Sequence, residues 1–254
     1  MSLIDELKIK FNTGDIVTRL VLINCGVFLV MLLLDINFTL FSFGGDKFAF
    51  LVCNYPWSPY ILARRPWSLV TSLFASWGLW HLIFNMIVLY WLGGVFLRHY
   101  TSGNLRGLYI LGGIAGMAVF TGVFMLFPSL QLKDWTGSMP LCSACILAIC
   151  TALAFRAPDN KEPIPLIGPV KIKFIVITLA IIDIAMLPNV NPVTDAVHLG
   201  AAFVGWAFYA LLRKGKDITA PVTAVAVWLD SLFHKHHQGD SHSECSFVAH
   251  IFTV

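Results

Sequence analysis

His81, Ser143 and His198 each fall near the start of a strongly apolar segment. A polar or ionisable side chain inside such a segment is a functional candidate by default. A serine hydroxyl is a weak nucleophile until a base takes its proton, and a neutral imidazole is well suited to do so. Serine, imidazole and a set of hydrogen-bond donors for a developing oxyanion are together the parts of acyl transfer. Asn85 follows His81 by four residues in HLIFN, so the two share a helical face one turn apart. Taken alone, that pair reads equally well as polar glue between helices.

Ser143 lies in SMPLCSACILA. Ser138 suits a helix N-cap and Pro140 a first helical position, which puts Ser143 in or near the first turn. Backbone N–H groups there lack intrahelical partners and face the positive end of the helix dipole. The bland alternative is a serine bonded to the carbonyl four residues back. His198 lies in DAVHLGAAFVG, where Ala201, Ala202 and Gly205 form a small-residue face; Ala144 and Ala148 offer a matching one. Faces of this kind pack closely in membranes, which would bring hydroxyl and imidazole together. Asp195 precedes His198 by one turn and is expected, with Thr194, to cap the helix rather than to orient the imidazole.

These side chains need elements to hold them. Of 254 residues, 57% are hydrophobic and 12% charged, with a mean hydropathy of +0.77. A soluble domain carries about 25% charged residues. The expected fold class is all-α, a polytopic membrane protein. Six spans are read at approximately Val17–Leu34, Leu79–Phe96, Leu105–Leu126, Pro140–Phe155, Phe174–Leu187 and Ala196–Leu212. His81, Ser143 and His198 open the second, fourth and sixth. Even-numbered spans cross in one direction, so the three share a side and a depth. The fourth and fifth are short for ~30 Å of hydrocarbon. Residues 35–78 are too apolar for a solvated loop and too broken for a span, and read as an interfacial segment with Trp57 and Trp67 at headgroup depth.

Charge sets the orientation. Of the 17 Lys and Arg, only Lys47, Arg64, Arg65 and Lys133 fall in the outer segments if the N-terminus is inside; the other 13 fall in the inner ones. That asymmetry predicts both termini cytoplasmic. Residues 1–16 form a cytoplasmic segment, 17–216 the membrane domain and 217–254 a cytoplasmic tail, with an amphipathic surface helix over Ile218–Phe233. The His-rich end of the tail is expected to be solvated rather than a metal site. No cofactor or metal is expected. The six cysteines lack a disulfide framework and read as unpaired. A net charge of +3 gives no reason to expect a nucleic-acid partner. No cleavable signal or transit peptide is read at the start, which points to a bacterial inner (plasma) membrane.

HLIFN followed by LYWLGG, a serine opening the fourth span, HLGAAFVG opening the sixth, and Pro66–Trp67 in the first loop resemble the rhomboid intramembrane serine proteases over roughly Pro66 to Lys214. The resemblance implies a six-transmembrane-helix, rhomboid-like bundle with Ser143 as nucleophile and His198 as general base. It also implies His81, Asn85 and the Ser143 backbone N–H as oxyanion donors. Function is then expected to be intramembrane serine endopeptidase activity on transmembrane protein substrates in the lipid bilayer, near the outer face. The alternative is a rhomboid-like pseudoprotease that binds membrane proteins without cutting them. A small transporter is a third class, supported only by Asp183 in the fifth span. The family pattern glycine-any-serine-glycine reads here Leu141, Cys142, Ser143, Ala144, and the glycine three residues after His198 is Ala201. Leu141 is the bulkiest departure and would crowd the oxyanion pocket.

Overall fold

The computed structural model describes residues 3–41, 48–127, 138–164, 168–185 and 192–225. The first helix, α1 (Leu3–Thr13), ends before Gly14, and Asp15 caps the next, α2 (Ile16–Leu40), by accepting the Thr18 N–H at 2.8 Å. Three short helices follow in the stretch read as interfacial: α3 (Phe48–Cys53), α4 (Pro59–Arg64) and α5 (Ser68–Phe74). The remaining helices are α6 (Leu79–Leu97), α7 (Ser102–Leu126), α8 (Cys142–Arg156), α9 (Ile172–Ala185) and α10 (Pro192–Leu212). A capping box between Thr101 and Asn104 starts α7.

Four helices, α2, α6, α7 and α10, are long and apolar enough to cross a membrane; α8 and α9 are apolar but shorter. At ~1.5 Å per residue, the 15 residues of α8 reach only about 22 Å. Each of the six overlaps one of the stretches expected from hydropathy, with α2 running six residues further, to Leu40.

Strand pairs gather the loops at two ends. At one, β1 (Tyr55–Pro56) runs antiparallel to β2 (Ser138–Met139). At the other, β3 (Lys161–Ile164) pairs with β4 (Gly168–Lys171), with Gly168 at φ +92 where the chain reverses. Arg98, just past α6, reaches Glu162 of that hairpin at 2.7 Å. Lys171 and Lys173 each stand 3.0 Å from Asp159, and their hydrogen bonds hold its carboxyl below the ordinary range. Trp57 stacks on Phe124 of α7, centroids 5.4 Å apart. Trp67 is 48% exposed.

The core centres on α8, ten of whose 15 residues are buried. Lipid is as apolar as a leucine side chain, so close backbone approach and hydrogen bonds must hold such helices together. Glycine on the neighbours supplies the approach. A Cβ on Gly112 of α7 would stand 2.7 Å from the Ala148 Cβ, and one on Gly205 of α10 would overlap the Ala148 carbonyl.

The start of the expected tail docks onto α7. The Asn104 side-chain amide donates to Asp217 at 2.8 Å and Thr219 at 3.0 Å, and Thr223 donates to the Gly103 carbonyl at 3.1 Å. Residues 220–225 are helical. Most of the expected amphipathic helix, the His-rich end, Cys245, Lys47 and Lys133 lie outside the described residues. So does the side chain of Asp183.

Candidate active site

The chain enters α8 differently from the sequence expectation. Ser138 is not the N-cap and Pro140 is not the first helical residue. Ser138 and Met139 are extended in β2, and the cap is Leu141 at φ −118, ψ 6, with no side-chain cap bond. Tertiary pairing wins over the local capping signal here. Strand β1 holds the backbone extended, and the Leu141 N–H donates to the Ser72 carbonyl at 2.8 Å. Ser143 is therefore the second residue of α8. Its N–H is among those that a helix start leaves without an intrahelical carbonyl.

The Ser143 Oγ and His198 Nε2 stand 3.0 Å apart, both side chains buried. Ala144, Ala148, Ala201 and Gly205 lie along the two helices that make this contact, as their spacing anticipated. Helix α10 begins at Pro192, so Thr194 and Asp195 lie inside its first turn and neither is the N-cap. Asp195 Oδ1 is buried with no hydrogen-bond partner among the described residues.

Leu141 is fully buried. Its Cδ2 occupies space next to Gly116 of α7, 3.1 Å from where a Cβ would stand. The same missing Cβ would meet Val197 at 3.2 Å and Ala144 at 3.5 Å. The bulk of the leucine is thus taken up where α7 carries no side chain, beneath the residues flanking Ser143 and His198.

His81 and Asn85 meet as the i, i+4 spacing requires. The Asn85 Nδ2 lies 3.3 Å from His81 Nδ1 and 3.4 Å from Nε2. Asn85 and Ser143 line one cavity of about 20 Å³ together with Ile146 and Leu147; that is room for roughly one water. His81 joins the site through Asn85.

Two features were missed by the sequence reading. Ser76 Oγ stands 2.8 Å from His81 Nδ1; a hydroxyl donating there leaves the ring proton on Nε2, turning that nitrogen into a donor. Second, a buried network abuts the nucleophile. Tyr109 donates to the Leu73 carbonyl at 2.9 Å, the Asn24 amide reaches the Tyr109 oxygen at 3.1 Å, and the Cys142 thiol donates to Asn24 Oδ1 at 3.1 Å. It ties α2, α5 and α7 to the residue beside Ser143. The only signal for it was a lone asparagine and a lone tyrosine in apolar runs. The five described cysteines are free thiols, and no cluster able to hold a metal occurs among the described residues.

A family model described as the Rhomboid domain matches residues 63–215, a range that contains His81, Asn85, Ser143 and His198. Rhomboid protease GluP of Bacillus subtilis (strain 168) is 26% identical over 233 residues, covering 87% of this chain and 41% of that protein. RHOMBOID-like protein 12, mitochondrial, of Arabidopsis thaliana is 26% identical over 211 residues, covering 80% of this chain and 60% of that protein. The chain spans less than two thirds of the length of either relative.

Proposed function

Because the chain belongs to the rhomboid family, we propose that it is an intramembrane serine endopeptidase that cuts transmembrane proteins near the outer membrane face. It is an integral membrane protein, and in this reading residues 17–216 cross six times. Residues 1–16 and 217–254 flank that domain in the cytoplasm, and the membrane is a bacterial inner membrane. The observation that carries the reading is the 3.0 Å approach of Ser143 Oγ to His198 Nε2.

From that approach the steps follow. Nε2 takes the hydroxyl proton as Oγ attacks the substrate carbonyl, and later returns it to the leaving amine. The oxyanion formed between those steps is met by the Ser143 N–H, Asn85 and His81, each donor worth roughly 3 kcal/mol. The hydroxyl of Ser76 supports the His81 tautomer that donates from Nε2. The substrate must be locally unwound, since helical carbonyls are already hydrogen-bonded and shielded. Water then attacks the acyl-enzyme with His198 again as base.

A rhomboid-like pseudoprotease was the alternative raised by Leu141. The seating of that side chain beside Gly116 supports the protease reading, because it gives the leucine bulk a place away from the pocket. Labelling by a fluorophosphonate probe in native membranes tests the choice. The protease reading requires labelling that disappears in Ser143→Ala; an unlabelled but correctly inserted wild type favours the pseudoprotease.

A further inference from the structure

Helices α8, α9 and α10 do not close on one another along one side. They leave a groove of about 590 Å³ whose lining includes Asp195 and His198 at one end and Pro158 and Lys173 at the other. Between the ends the walls are apolar, with Leu147, Phe155, Ile177 and Leu199 prominent and Thr151 as the polar exception. Phe155 is 46%, Ile177 57% and Leu199 72% exposed, so the groove opens outward from the bundle.

Its setting selects the occupant. Leu147 to Arg156 is nine residues along the α8 wall, about 14 Å at ~1.5 Å per residue, within the depth of one leaflet of a ~30 Å hydrocarbon core. The partly exposed apolar side chains of Phe155, Ile177 and Leu199 are carried on helices of the membrane domain, where the surrounding medium is lipid tails as apolar as they are. The groove therefore takes flexible hydrocarbon along its length.

The charge at its mouth selects the headgroup. Lys171 and Lys173 share the single carboxylate of Asp159, which leaves a surplus positive charge. Lys173 keeps 39% of its side chain exposed, free to reach a second anion.

We propose that this groove is a binding site for an anionic phospholipid of the leaflet on the side of the β3–β4 hairpin. The phosphate sits against Lys173 and one acyl chain runs between α9 and α10. The chain ends against Leu147, one helical turn from Ser143, and Leu199, the residue that follows His198. It fills the space under the imidazole with hydrocarbon and leaves the other face of the bundle as the approach for water. Binding does not depend on hydrolysis, so it can be read in a protein that has lost its nucleophile.

The test uses Ser143→Ala protein in nanodiscs, with a photoreactive amino acid at position 177 and, as a control on a lipid-facing residue of α7, at Ile114. Crosslinking to phosphatidylglycerol and to phosphatidylcholine is compared at equal mole fraction. The expected result is a preference for phosphatidylglycerol of roughly fivefold at 177, the factor that one lysine near anionic lipid supplies, and none at 114. Lys173→Glu and Lys173→Gln should both erase the preference, so that a folding defect in one variant leaves the other to decide. Ala202→Phe should cut crosslinking of both lipids at 177. Equal labelling by the two lipids at 177, a preference that survives both lysine variants, or a crosslink from 177 to a co-reconstituted transmembrane helix instead of lipid would each overturn the assignment. Loss of probe labelling at Ser143 in the wild type would overturn the protease reading and leave this one standing.

Discussion

The proposed base, His198 Nε2, stands 3.0 Å from the Ser143 hydroxyl. Ser143→Ala and His198→Ala should each abolish cleavage of a model transmembrane substrate while insertion is retained, and the double variant should be no worse than either. Asn85→Ala should lower turnover by ~10²–10³ with little change in KM, since an oxyanion donor acts in the transition state; a rise in KM at constant turnover would make Asn85 a ground-state binding residue instead. Leu141→Gly tests the pocket differently. The side chain is fully buried beside Gly116, so its loss should destabilise the protein by about 2–5 kcal/mol, as large-to-small core changes do, and should not speed the reaction. Equilibrium unfolding in detergent and turnover at a permissive temperature measure the two effects. His81, Asn85, Ser143 and His198 were legible because polar groups in apolar runs are costly and so stand out. Ser76 was not, being one of several serines and threonines in a loop. The Asn24–Tyr109 bond joins residues 85 positions apart, and no local pattern encodes that.

Hydropathy located all six apolar helices because a run of apolar side chains is a cumulative signal. Two-residue strands have no periodicity to read, and the pairing of β1 with β2 went unseen. That omission produced the wrong start for α8: Ser138 and Pro140 make a sound local cap, but strand pairing holds the chain extended there. The crossing of α8 and α10 was readable from small residues at four-residue spacing, and its tightness is testable. A side chain at Gly205 collides with the Ala148 carbonyl, so Gly205→Val should push α10 off α8 and separate the dyad. Misplacement by ~1 Å costs on the order of 10²-fold. Probe labelling at Ser143 should fall by about that factor while helicity by circular dichroism persists. Gly122→Val on α7, where a Cβ meets nothing within 4 Å, is the control and should label normally. Equal labelling by both variants would mean that α8 and α10 can part without disturbing the site.

Across the whole molecule, the loops sort to two ends. Tyr55 and Met139 meet at one, Arg98 and Glu162 at the other. The distribution of Lys and Arg predicts which end is cytoplasmic. On a background lacking native cysteines, Tyr60→Cys should react with an impermeant thiol reagent added outside, and Asn160→Cys only after the membrane is opened. The reverse pattern would turn the molecule over and move the proposed cleavage to the inner face. The order of the helices along the chain has a consequence in time as well as in space. Ser143 and His198 are 55 positions apart, with all of α9 between them. A ribosome adding ~5–20 residues per second makes Ser143 roughly 3–11 s before His198. During that interval the nascent chain is already entering a membrane crowded with other proteins. If the two residues act together as proposed, its serine cannot yet attack them, α10 is the helix that arms the molecule, and a chain truncated before α10 should be inert wherever it lodges.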